Sequence, residues 1–138
     1  MTPRHGRVSR CGDGSEHGSA VVDFVLVGGL VLLLVLGIVQ LTLALHVRNT
    51  LIDSASEGAR YGALVGRSPS DGAQRTRELV RGSLADRYAG EVDATAVSRD
   101  GVELVEVRVR APLPVIGLLG PAGGLTVTGH AIAEDSLP

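Results

Sequence analysis

The fold of this 138-residue chain is set by residues 18–45, GSAVVDFVLVGGLVLLLVLGIVQLTLAL. From Phe24 to Leu45 there is no charged residue, and Gln40 and Thr42 are the clearly polar positions. As a helix, these 22 residues span about 33 Å, because each residue adds about 1.5 Å. The hydrocarbon core of a bilayer is about 30 Å thick. The sequence therefore predicts one membrane-spanning helix.

The segment before this run is polar and glycine-rich. Residues 1–18 contain Arg4, Arg7 and Arg10, and basic residues favour the cytoplasmic side of a membrane. We interpret residues 1–18 as a leader with a cytoplasmic N-terminus. The lone Cys11 cannot form a disulfide within the chain.

The helix is expected to continue beyond the membrane. Proline is absent from residues 46–65, and the small residues Ala55 and Ala59 recur four positions apart. Small residues at this spacing let another backbone approach closely. We therefore predict one long helix from about Ser19 to about Val65, whose second half supports an outer domain.

That outer domain, residues 67–138, is predicted to be a small α+β head. Ser68, Pro69 and Asp71 have the pattern of a capped helix start, and Gly90 is the expected end of that helix. Three strands with alternating apolar residues should follow. The chain thus divides into a leader (1–18), a transmembrane and extended helix (19–66) and the head (67–138).

Alternation identifies each strand. Apolar positions in the first are Val92, Ala94 and Ala96, and those in the second are Val105, Val107, Val109 and Ala111. The last carries Leu125, Val127, Gly129, Ala131 and Ala133. A turn at residues 98–101 ends in Asp-Gly, which tolerates positive φ, and Pro112 and Pro114 should end the second strand. A three-stranded antiparallel sheet with one polar face is expected.

Composition argues against several function classes. The net charge of −2 and the three aromatic residues do not favour binding of nucleic acids. The four histidines are scattered, so no metal site is expected, and no Ser-His-Asp pattern is evident. The glycine-rich residues 117–124 lack the Lys-Ser/Thr of a phosphate loop. We expect no enzymatic activity, no cofactor and no small-molecule substrate.

Asp23 places a carboxylate at the start of the apolar run, where it costs less than at the membrane centre. Two interpretations stay open. Asp23 either marks the helix boundary, favoured by the helix dipole, or neutralises a cation inside an assembly. If the chain is cut after Gly18, the new ammonium of Ser19 lies about one turn from Asp23. The two groups can then pair within one chain or between neighbours.

The stretch from Gly18 to Phe24, followed by a long apolar run, resembles the processing site of type IV pilins and pseudopilins. In those proteins a membrane prepilin peptidase cleaves after the glycine, and the fifth mature residue is usually acidic. Downstream, residues 55–61 (ASEGARY) are similar to the EGAR-Y segment of TadE-like proteins, minor pseudopilins of tight-adherence (Flp) pili. The order of elements in the head also resembles that family.

The resemblance implies that Gly18 ends the leader, that Ser19 is the new N-terminus, and that Asp23 replaces the usual glutamate with a side chain one methylene shorter. Phe24 stands where tight-adherence pilins often have an aromatic residue. The family segment consists of Glu57, Gly58, Ala59, Arg60 and Tyr61. The implied partners are membrane lipid, a prepilin peptidase, other pseudopilins or pilin subunits, and pilus platform proteins. The implied location is the cell membrane, with the head outside the cytoplasm.

Alternatives remain at two levels. Glu57 and Arg60, three residues apart on a helix, either form a solvated ion pair or dock the helix onto the sheet or a partner. The whole chain is either a processed pseudopilin or an uncleaved single-pass anchor for an outer binding domain. A secreted protein with a cleavable signal fits less well, because the apolar run is longer than a usual signal core and His46-Val47-Arg48 is not a small-residue cleavage site.

Overall fold

The computed structural model describes residues 16–113 and 124–134. Its elements are, in chain order, α1 (Glu16–Gly62), α2 (Pro69–Ser83), a 3₁₀ helix (Asp86–Ala89), β1 (Glu91–Arg99), β2 (Val102–Pro112) and β3 (Gly124–Ile132). The chain forms two compact units, residues 1–38 and 39–138. The second unit contains the end of α1 and every later element. The predicted α+β fold with a long apolar helix, one further helix and a three-stranded sheet is confirmed.

Helix α1 has 47 residues and is long and apolar enough to cross a membrane. Its most apolar window has a mean hydropathy of 2.8, and none of that window is buried within the chain. A helix that is apolar on all sides needs an apolar environment around it. The first unit does not supply that environment from its own described residues.

Both ends of α1 lie three residues before the expected positions. The helix starts at Glu16 rather than Ser19, because one glycine costs only about 1 kcal/mol where helical turns continue around it. It ends at Gly62 rather than Val65. The N–H of Ala63 is shared between the carbonyls of Ala59 and Arg60, at 3.0 and 3.2 Å, and the chain then turns through Gly66 with φ of 76°.

The start of α2 agrees with its sequence pattern. The Ser68 N–H donates to Asp71 Oδ2 at 2.9 Å, and the Asp71 N–H donates to Ser68 Oγ at 3.3 Å, which completes a capping box. These hydrogen bonds from the side chain and the backbone of Ser68, with help from the charge of Arg67, lower the pKa of Asp71 below its usual value. The cap therefore holds a carboxylate in its charged form.

The expected end of α2 at Gly90 is wrong. The helix ends at Ser83, where Leu84 adopts an extended conformation and its N–H donates to Val80 O at 2.7 Å. The 3₁₀ helix then places Tyr88 in the core, where it is 3 % exposed. The break thus redirects the chain so that the aromatic ring is buried before β1 begins.

The sheet is antiparallel with the order β1-β2-β3. Its first hairpin closes on the pair Arg99–Val102, and the two turn residues Asp100 and Gly101 have φ of 54° and 80°, as a type I′ turn requires. The four predicted apolar positions of β2 are all buried. Pro112 is the last residue of β2, while Pro114 and most of the glycine-rich loop lie outside the described residues.

Two details of the sheet differ from expectation. Ala96 is exposed although it belongs to the inward row of β1 and pairs with the buried Val105. The outer face is not wholly polar, since Val97, Leu104 and Ile132 form a row across the three strands. This row gives one end of the outer face an apolar surface.

The core of the second unit lies between the sheet, α2 and the C-terminal part of α1. Leu51, Val80, Val107 and Val109 are completely buried. Arg77 Nη2 donates to the Val92 carbonyl at 2.6 Å, which joins α2 to the start of β1. The remaining buried apolar residues are Val47, Ala55, Ala59, Ala63, Ala73, Tyr88, Ala89, Val92, Val105, Ala111 and Val127.

Candidate functional site

The first turns of α1 carry four of the predicted site residues. Gly18, Ser19, Asp23 and Phe24 are all exposed, and Phe24 is 78 % exposed. Within the described part of the chain, Asp23 has no ion pair or hydrogen bond from its side chain. This segment therefore offers a carboxylate and an aromatic ring to its surroundings. Cleavage after Gly18 stays a prediction, and Gly18 and Ser19 both lie inside the helix.

The segment from Glu57 to Tyr61 divides into buried and exposed positions. Gly58 and Ala59 are buried, Tyr61 is half-buried, and Glu57 and Arg60 are exposed. No ion pair joins Glu57 to Arg60 within residues 16–113 and 124–134. The two charged side chains therefore remain available for contacts outside the described chain.

Gly58 marks the place where α2 crosses α1. A Cβ atom at Gly58 would overlap the hydroxyl of Thr76 and lie 2.7 Å from the Gly72 carbonyl oxygen. A Cβ atom at Gly72 would in turn lie 2.6 Å from the carbonyl oxygen of Gly58. Thr76 is fully buried at this crossing, and its hydroxyl donates to Gly72 O at 2.9 Å. The glycine of the family segment thus allows two helix backbones to touch.

Strand β3 approaches α1 equally closely at Ala55. A Cβ atom at Gly129 would lie 2.5 Å from the Ala55 carbonyl oxygen and 2.5 Å from the Ser56 nitrogen. Backbone atoms cannot move aside as a flexible side chain can. The small residues at positions 55 and 129 therefore set the distance between the sheet and the helix.

Hydrogen bonds join the end of β3 to the end of α1. The Glu134 N–H donates to Ala63 O at 3.0 Å, and the Val65 N–H donates to Glu134 Oε2 at 3.3 Å. The Ala133 N–H donates to Glu103 O at 2.9 Å. The two bonds of Glu134 give backbone groups just after the helix end partners at the end of β3, and the Ala133 bond holds the end of β3 against Glu103.

Tyr61 faces the α2 side of this region. The Arg67 guanidinium carbon lies 4.7 Å from the centre of the Tyr61 ring, a cation–π geometry. A small cavity of about 160 Å³ lies beside the ring, lined by Asp71, Gln74, Arg75 and Glu78. Its mixed charges and size suit solvent rather than a sizeable ligand.

Sequence reasoning did not identify Gly72, Thr76 and Gly129 as partners of the family segment. Each lies far from Gly58 in the chain, and none belongs to a motif. A glycine inside an otherwise regular strand or helix was the one available signal, since such a residue often marks a close backbone approach. Among the residues described, no group of three or more His, Cys, Asp and Glu side chains converges as metal ligands would.

The comparisons with known proteins agree with the resemblance noted from the sequence. Residues 18–60 match the family model described as TadE-like protein. Neither a curated protein nor a solved structure matches the chain significantly. The TadE-like family suggests a pseudopilin-like protein associated with Tad pili.

Proposed function

We propose, from the match of residues 18–60 to the TadE-like family, that this chain is a non-enzymatic pseudopilin of a tight-adherence (Flp-type) pilus. In this proposal a prepilin peptidase removes the leader after Gly18, and α1 holds the mature subunit in the cell membrane. The N-terminus then lies on the cytoplasmic side and the head on the outer side. The subunit acts by association with other pilus components.

One observation carries this proposal: a single family model covers both the Gly18–Phe24 start and most of the Glu57–Tyr61 segment, and both lie on one helix. The exposed apolar surface of the helix supports it, because either lipid or neighbouring apolar helices can cover that surface. Asp23 at the start of the run supports it further, since a new ammonium at Ser19 would lie about one helical turn away.

The N-terminal residue of the protein purified from its own host tests the proposal. Intact-mass measurement should give a chain that begins at Ser19. Gly18→Leu should abolish this cleavage while membrane insertion continues, because the peptidase then meets a bulky residue before the bond. Gly28→Leu is the matched control, since an added Cβ there meets no atom within 4 Å. Wild-type processing of Gly18→Leu would contradict the proposal.

The role of Asp23 is tested separately in pilus assembly. Asp23→Ala should lower the yield of assembled pili while the head keeps its protease resistance, because a carboxylate next to the ammonium is lost. Asp23→Glu keeps the charge and extends the reach, so this variant should retain assembly. A normal pilus yield for Asp23→Ala would leave the carboxylate as a boundary marker of the helix.

One observation favours the alternative of an uncleaved single-pass anchor. The bond after Gly18 lies within α1, so it is not presented as an extended segment. An anchor of this kind would keep residues 1–18 and hold an outer binding domain at the membrane. An intact Met1 in the protein from its own host would support it.

A further inference from the structure

Beyond the apolar run that ends at Leu45, few large apolar side chains of the second unit are exposed. Among the described residues after Leu45, the large hydrophobic side chains that are exposed are Leu64, Val65 and Ile132. Leu64 and Ile132 line the same open groove of about 420 Å³. Apolar surface that gathers beside charged residues is typical of a protein contact site.

We call this the Arg60 groove. Its lining includes Arg60, Ala63, Leu64, His130, Ile132 and Glu134. The carboxylate of Glu134 already accepts a hydrogen bond from the Val65 N–H, and the His130 ring lies 3.6 Å from Glu106. Arg60 has no ion pair or hydrogen bond from its side chain within the described residues. The groove therefore combines exposed apolar side chains with a guanidinium that suits a carboxylate.

Two carboxylates without a cationic partner lie on α1. Asp53 and Glu57 are exposed, four residues apart on α1, and neither forms an ion pair within the described chain. Like charges at this spacing repel and cost about 0.2–0.5 kcal/mol in a helix. A cation from outside the chain would offset this cost.

We propose that the Arg60 groove binds the Asp53–Glu57 face of α1 from a second copy of this chain. This proposal rests on the proposed function, because a pilus brings many copies of similar helices together. Charge complementarity selects the occupant: an unpaired arginine in the groove meets an unpaired pair of carboxylates. The two surfaces differ and both are present on each copy, so the contact between two copies is heterologous.

The positions of the charges also define the offset between the copies. Copies inserted with the same topology run their α1 helices in the same direction. Arg60 follows Asp53 by seven residues, which is about 10 Å along a helix. An offset of about 10 Å between neighbours therefore places Arg60 of one copy level with Asp53 of the other. At zero offset the like charges of the two copies would instead stand side by side.

Disulfide cross-linking in membranes tests the contact. Two differently tagged full-length chains, both with Cys11→Ser, would carry a single cysteine at Asn49 or at Ile132. Asn49 is exposed beside the acidic face, and Ile132 lies in the groove. Oxidation should yield the mixed Asn49–Ile132 dimer in preference to either symmetric dimer. Symmetric dimers alone, or cross-links exclusively to other proteins, would overturn the proposal.

Charge reversal then identifies the interaction. Arg60→Glu or Glu57→Arg should lower the mixed cross-link about tenfold, because a close charged pair becomes repulsive. The double variant carries both reversals and should recover most of the yield. Arg81→Glu, at an exposed position of α2, is the matched control and should change little. Equal yields of the mixed cross-link in the two single variants, the double variant and the Arg81→Glu control would overturn the proposal.

Loss of folding is separated from loss of contact by the protease resistance of the head, which should be equal in every chain. The result is also independent of leader removal. A mixed cross-link between chains that still begin at Met1 would support the contact while contradicting the pilin pathway. Chains that begin at Ser19 but do not form the cross-link would support the pilin pathway while contradicting the contact.

Discussion

Leucines in the two parts of α1 have opposite environments. Leu34 in the first unit is 63 % exposed, whereas Leu51 in the second is completely buried. Around Leu51, small residues let α2 and β3 come within contact of the helix backbone. Around Leu34, no described residue of the chain covers the helix. Hydropathy alone therefore does not say where the chain itself covers a helix.

The largest expected effect comes from filling the contact between β3 and α1. Gly129→Val should lower the free energy of unfolding of the second unit by about 3 kcal/mol or more, because its side chain would overlap the backbone of α1. Proteolysis of the full chain in detergent micelles across a urea series measures this. Gly82→Ala is the control and should be neutral or slightly stabilising, since an added Cβ there meets no atom within 4 Å.

Truncating one leucine in each part of α1 tests the difference between the two parts directly. Leu51→Ala should cost about 3 kcal/mol of the same unfolding free energy, because it leaves a cavity in a closed core. Leu34→Ala should leave that free energy unchanged, since Leu34 contributes nothing to the head. Equal losses for both variants in the urea series would show that the two parts of the helix are not energetically distinct.

The smallest expected effect is the pH dependence of the α2 cap. The pKa of Asp71 is lowered in the folded chain, mainly by the hydrogen bonds from Ser68. Its contribution to stability is therefore complete above the ordinary carboxyl pKa of 3.8, and it is lost as pH falls through the lower folded value. The urea midpoint of Asp71→Asn should lack this part of the acid dependence. An identical pH profile for the variant and the parent would contradict the assignment.

Much of this architecture could be predicted from local sequence because its signals are local. The capping box at Ser68, the Asp-Gly turn and the alternation in β2 each depend on residues within a few positions of one another. The end of α2 was missed for the opposite reason. Burial of Tyr88 against residues distant in the chain overrode the helical pattern that continued towards Gly90.

The candidate site likewise has features that local sequence reveals and features that depend on distant contacts. The apolar run, Asp23 and the Glu57–Tyr61 segment were recognisable from the order of residues, because length, charge and motif are properties of the chain itself. That Gly58 faces Gly72 and Thr76, that Gly129 rests on Ala55, and that Arg60 borders a groove became known from the folded arrangement alone. These contacts join residues far apart in sequence, and their distances depend on how helices and sheet pack together.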